Sequence, residues 1–142
     1  MKVYPDANIY ITYLLGQRGE AMADCFFKQG IRCRFSIVAS NIVFAEVAQR
    51  CQEEGKILLQ KNIDDFRKAG KLEIIERTPE ELKEALEMGI KTGQEFGRND
   101  MLHSVLARNH ADVFVTNDKY LAKYAAKIQK AMSLEEFVES EP

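Results

Sequence analysis

The segment spanning residues 97–120, GRNDMLHSVLARNHADVFVTNDKY, changes hydrophobic period partway along, and this change constrains the fold more than any other feature. Met101, Leu102, Val105 and Leu106 recur at helical intervals. Val113, Phe114 and Val115 then form a short continuous apolar run, the pattern of a strand covered on both faces. The same unit opens the chain. Lys2–Pro5 reads as a strand ending at Pro5, Asp6 follows it, and Ala7–Leu15 begins a helix.

Further elements follow in alternation. Arg18–Gln29 reads as a helix closed by Gly30, and Arg34–Ala39 as a strand. Ser40 or Asn41 caps a helix over Ile42–Gln52, and Lys56–Lys68 forms another that ends at Gly70. Leu72–Ile75 is a short strand. Thr78-Pro79-Glu80-Glu81 carries a capping box with Pro at the first helical position, opening a helix that runs to about Lys91. Gly93–Asn99 is read as a loop, Lys119–Ala126 as a helix and Ile128–Met132 as a last strand, before a second capping box at Ser133 and Glu136. Such alternation predicts an α/β protein, a three-layer α/β/α sandwich on a four- or five-stranded, mainly parallel sheet, with residues 1–142 forming one domain.

Composition removes several function classes. No apolar run approaches the ~20 residues of a membrane span, and Met1–Asp6 has no signal-peptide core. Cys25, Cys33 and Cys51 are odd in number and widely spaced, and read as free thiols in a reducing cytoplasm. His103 and His110 do not have zinc spacing. A net charge of −2 argues against a simple nucleic-acid coat. The balance turns slightly positive if several acids are engaged by metal.

Four acids stand where such an engagement is possible. Asp6 and Asp118 follow strands, Asp100 starts the helix packed beside the second of those strands, and Glu46 lies among apolar residues after the second strand. Taken singly, Asp100 and Asp118 read as helix caps and Glu46 as a partly exposed helix position, while Asp6 is a strand-end acid opening a helix. With the first strand central, all four meet at the carboxyl ends of the strands, where open α/β sheets bind ligands. Two carboxylates 4 Å apart repel by roughly 4 kcal/mol at an effective dielectric near 20. Protonation or a hard divalent ion relieves this. Oxygen-only ligands favour Mg²⁺ or Mn²⁺, and Mg²⁺ commonly completes its shell with waters and phosphates. The implied chemistry is phosphoryl transfer or phosphodiester hydrolysis.

The stretches VYPDANIYI, SNIVFAEVA and NDMLHSVLARNHADVFVTNDKYL together resemble a PIN domain, and more narrowly a VapC-type toxin ribonuclease. The resemblance implies an endoribonuclease that uses Mg²⁺ or Mn²⁺ and leaves 5′-phosphate and 3′-hydroxyl ends. It matches Asp6, Glu46, Asp100 and Asp118 to the family's acidic metal-binding quartet; in physical terms Asp6, Glu46 and Asp100 are expected to fix the ion and Asp118 to be an outer ligand or to orient the water. Thr116, Asn8 and Ser40 match small polar positions near the site. It further implies an RNA substrate, a small antitoxin partner, a homodimer and a cytoplasmic location. Pro5 and the slightly acidic charge depart from the family pattern.

Arg98, beside Asp100, is a candidate for the scissile strand. Lys119, Lys123 and Lys127 read as a solvated helix face, with a phosphate-contacting rim as the sharper reading. His103 is expected on a helix surface, and Tyr10, Tyr13, Phe26, Phe27 and Phe44 in the core or an interface. The rivals are an RNA-processing nuclease without an antitoxin, an inactive scaffold, and a phosphatase or phosphotransferase with Asp6 as nucleophile. The last wants a second acid two residues on, where Asn8 stands.

Overall fold

The computed structural model describes residues 1–32, 34–93, 96 and 99–140. Cys33 and Arg98 lie outside them; Cys25 and Cys51 are free. The elements are β1 (Lys2–Pro5), α1 (Ala7–Leu14), α2 (Glu20–Ile31), β2 (Ser36–Ser40), α3 (Asn41–Arg50), α4 (Glu53–Lys68) and β3 (Leu72–Ile75). They continue with α5 (Pro79–Lys91), α6 (Asp100–His110), β4 (Val113–Thr116), α7 (Lys119–Ala125), β5 (Ala131–Ser133) and α8 (Leu134–Ser140).

Five strands form one parallel sheet in the order β3-β2-β1-β4-β5. The chain moves outward from β1 through β2 to β3, then resumes on the other side at β4. Right-handed crossovers place those two sets of helices on opposite faces. β1 and β4 are buried at the centre of this α/β sandwich, with Val3, Tyr4, Phe114 and Val115 all at 0% exposure. Pro5 pairs with Val115 at the last position of β1, and the next amide, Asp6, donates to the Val115 carbonyl at 2.8 Å. The proline therefore ends the ladder without disturbing the acid beside it. The point where strand order reverses, between β1 and β4, is where Asp6 and Thr116 emerge.

Several boundaries differ from the sequence reading, among them the start of α4, which is Glu53 rather than Lys56. Gly30 does not close α2 but sits inside it; a Cβ there would lie 2.8 Å from Phe66 and 3.0 Å from Phe35. Its absent side chain admits the close approach of aromatic rings. β2 starts at Ser36 and includes Ser40, which also caps α3 by accepting from the Val43 amide at 3.2 Å. β5 begins only at Ala131, because the turn following α7 continues past Ile128 with i→i−3 and i→i−4 bonds. Tyr10, Phe26 and Phe27 are core residues as expected, and Tyr13 and Phe44 pack against them. Among the described residues no helix is long and apolar enough to cross a membrane.

The capping box at Thr78 forms as read: Thr78 Oγ1 accepts from the Glu81 amide at 3.2 Å, and Glu81 Oε1 accepts from the Thr78 amide at 2.9 Å. Glu81 Oε2 also accepts from Asn109 Nδ2 at 3.0 Å and lies 3.0 Å from His110 Nε2, joining α5 to α6. Burial pushes this carboxyl up, but its donors, Asn109 and Thr78 foremost, hold it below the usual glutamate range. A depressed carboxyl contributes stability above its unfolded value, and that contribution is lost as pH falls through the folded value. Glu81→Gln should therefore cost about 1–2 kcal/mol at pH 7. The gap to wild type should close below about pH 4 in thermal melts.

Candidate active site

Asp6 ends β1 and caps α1. Its Oδ1 accepts from the Ala7 amide at 2.7 Å and its Oδ2 accepts from the Thr116 hydroxyl at 3.0 Å. The residue is 3% exposed. Burial raises its carboxyl above the ordinary aspartate value; the charge of His103 and the bonds from Thr116 and Ala7 oppose this without reversing it. The nearby Glu46 adds to the upward push.

Thr116, the last residue of β4, organises this side of the crevice. Besides donating to Asp6, its Oγ1 accepts from the Asp118 amide at 3.1 Å and from Asn8 Nδ2 at 3.3 Å. Asn8 Oδ1 accepts from the Asn117 amide at 3.1 Å. The loops after β1 and β4 are thus stitched together by the small polar side chains that the sequence reading placed near the site. Asp118 caps α7, accepting at Oδ1 from the amides of Tyr120 and Leu121 at 3.0 and 3.1 Å.

A second cluster lies around His103. The sequence reading put this histidine on a helix surface; it is 0% exposed. Its Nε2 is 2.7 Å from Glu46 Oε1, and its Nδ1 is 2.9 Å from the Tyr4 hydroxyl. The Tyr4 hydroxyl is in turn 2.9 Å from Ser40 Oγ. Asn99 Nδ2 donates to the same Glu46 oxygen at 2.9 Å. Glu46 on α3 is thereby held by two groups from the start of α6, with its side chain still 31% exposed. Burial would push Glu46 up, but the hydrogen bond and charge of His103, then Asn99, bring it below the ordinary value. For His103 burial works downward, and the Glu46 bond together with the charges of Asp6, Glu46 and Asp100 outweighs it, so its basicity rises.

Asp100 occupies the first turn of α6, one turn before His103, and Asn99 rather than Asp100 is the N-cap residue. Asp6, Glu46 and Asp100, from three separate elements, therefore act on one buried imidazole. An imidazolium there would donate to Glu46 and to Tyr4 at once. In that form the ring would relieve part of the carboxylate repulsion expected from the sequence; its burial and its bond to Tyr4 are what sequence reasoning missed. The available signal was Tyr4 in a strand buried on both faces, whose hydroxyl has to find a partner inside.

Among the described residues no group of three or more His, Cys, Asp and Glu side chains is placed to hold a metal ion between them. Asp6, Glu46 and Asp100 instead act electrostatically on His103, with Glu46 in contact with it, while Asp118 caps α7. A cavity of about 500 Å³ opens elsewhere, between α1, α2 and α4, lined by Tyr13, Phe27, Leu58 and Phe66 and by none of the four acids.

A family model described as PIN domain matches residues 3–127. No curated protein matches the chain. Among solved structures, VapBC2 from Rickettsia felis, bound to a DNA fragment from their promoter, is 20% identical, with a TM-score of 0.62 over 94% of this chain and 98% of that one. The protein PAE2754 from Pyrobaculum aerophilum is 15% identical, with a TM-score of 0.64 over 98% of this chain and 88% of that one. At these identities the likeness is one of fold.

Proposed function

This chain belongs to the PIN domain family, and we propose that it is a Mg²⁺- or Mn²⁺-dependent endoribonuclease, the toxin of a toxin–antitoxin pair. The observation that carries the reading is the buried Asp6 carboxylate at the point of strand reversal, with the acids Glu46 and Asp100 near enough to act on the same imidazole. A carboxylate in that setting is costly to ionise unless positive charge is supplied. The donor set suits a hard ion: Asp6, Glu46 and Asp100 offer oxygen only. Mg²⁺ is usually held by one or two carboxylates with waters filling the rest, so a closed cage of acids is not required.

In this reading Asp6, Glu46 and Asp100 hold the ion and Asp118 acts at its outer edge. When bound, the ion supplies positive charge to the phosphate and acidifies a water. Thr116 and Ala7 fix both oxygens of Asp6. His103 and Asn99 hold Oε1 of Glu46, whose side chain is 31% exposed. Arg98 remains a proposed contact to the scissile strand. Partners in this reading are RNA, a second copy of the chain and a small antitoxin, for which the likeness to VapBC2 and the cavity between α1, α2 and α4 give support.

Calorimetric titration with Mn²⁺, run beside an RNA cleavage assay, tests this. We expect ion binding, cleavage that stops on chelation, and recovery when Mg²⁺ is restored. A folded protein that takes up no Mn²⁺ would favour the scaffold reading.

A further inference from the structure

We propose that Tyr120, Phe96 and Tyr124 form a stacking platform for an unpaired base of single-stranded RNA at the rim of the acidic crevice, with Lys123 and Lys127 contacting the adjoining phosphates. The inference rests on the nuclease reading and adds to it a place where substrate is held.

Basic and aromatic residues alternate along residues 119–127, KYLAKYAAK, and the fold adds a third ring to the two tyrosines. The Phe96 ring lies against two rings of α7, with centroids 5.4 Å from Tyr120 and 5.1 Å from Tyr124. Lys127 Nζ stands 5.7 Å from the centre of the Tyr124 ring. Lys119, Lys123 and Lys127 recur at one-turn intervals from the start of α7 into the turn beyond it, and the helix itself, KYLAKYA, contains no acid. Lys119 is engaged with Glu135 at 3.3 Å, which leaves the strip its two later lysines as phosphate contacts.

Exposure separates Tyr120 from the core, against which Phe96 and Tyr124 pack. Tyr4 and Tyr10 are 0% and 1% exposed, whereas Tyr120 is 61% exposed while its ring still touches Phe96. A tyrosine packed against Phe96 and still 61% exposed presents aromatic surface that a nucleobase can cover, since every base offers a π face. Chain position joins the platform to the acids. The Tyr120 amide donates to Asp118 Oδ1, and Phe96 lies four residues before Asp100. A base seated on Tyr120 would therefore sit beside a phosphate able to enter the crevice. Aromatic faces beside lysines on an acid-free helix fit a polyanion with flat bases.

The test is fluorescence anisotropy of a labelled single-stranded RNA on the full chain, with Asp6→Asn present throughout to suppress cleavage and wild-type protein in EDTA as control. Adding Tyr120→Ala should weaken binding roughly 5- to 100-fold, while Tyr120→Phe should leave it unchanged. RNA with one abasic position should bind more weakly to Asp6→Asn than intact RNA, and that difference should vanish with Tyr120→Ala. Lys123→Ala and Lys127→Ala should each lower the salt slope by roughly 0.7 and leave the abasic effect intact. Equal RNA affinity with and without Tyr120→Ala would overturn the platform and leave the nuclease reading standing. Absence of RNA binding by both wild type and Asp6→Asn would overturn the RNA reading and the platform with it.

Discussion

On the proposed nuclease reading, Asp6→Asn should reduce divalent-dependent RNA cleavage by at least about 100-fold, because a carboxylate proposed to hold the ion would be lost and with it several kcal/mol of charge stabilisation. The same variant should melt no lower than a few degrees below wild type. Asn is nearly isosteric with Asp and keeps an oxygen for the Ala7 amide. On the other side its amide would face Thr116 Oγ1, which already accepts from Asp118 and Asn8, so one bond is weakened. Against that loss stands relief of a buried charge. The Asp6 carboxyl is raised in the folded state, so its ionised form costs stability above the unfolded value near 4. Removing the charge returns that cost at neutral pH. The two effects oppose one another, and a net change near zero follows. The measurement is cleavage of a fluorescent RNA in Mg²⁺ beside a thermal melt. Full activity in a clean preparation would remove Asp6 from the mechanism, and a collapse of stability with activity proportional to the folded fraction would make it a structural acid.

Strand ends and caps were legible because their signals are local. Pro5 followed by Asp6 marks the end of β1 in four residues of sequence, and Thr78-Pro79-Glu80-Glu81 marks the start of α5 in the same way. Gly30 was misread since a glycine near a helix end has two uses, and only the rings of Phe35 and Phe66 decide between them. Asp6, Asp100 and Asp118 were legible as acids following strands or opening helices, and Glu46 as an acid among apolar residues within a helix. Their electrostatic arrangement was not. Tyr4, Ser40, His103 and Glu46 come from β1, β2, α6 and α3, and no spacing along the chain reports that they share hydrogen bonds. Of the aromatic rim, Tyr120 and Tyr124 stand one turn apart beside lysines in the sequence, whereas Phe96 meets them only in the fold.

His103→Ala should lower stability by about 2–5 kcal/mol, the range for emptying a fully buried large side chain, and Tm by roughly 10 °C. Two separable losses contribute. The vacated volume removes packing against Tyr4, whose ring centre is 5.8 Å from that of His103. The vacated nitrogens leave the Tyr4 hydroxyl with Ser40 alone and Glu46 Oε1 with Asn99 alone. His103→Phe keeps the volume and loses the nitrogens, so it isolates the second term; a buried polar group left short of a partner costs about 1–3 kcal/mol. The functional consequence should be common to both variants. Glu46 enters the crevice from α3 and is steadied by α6 only through His103 and Asn99, so either change should reduce cleavage about 10- to 100-fold, as loss of a group that orients a metal ligand does. A pure packing residue would behave differently, with His103→Phe near wild type in both melting and cleavage. That result would assign the buried histidine to the core and detach it from the acids it touches.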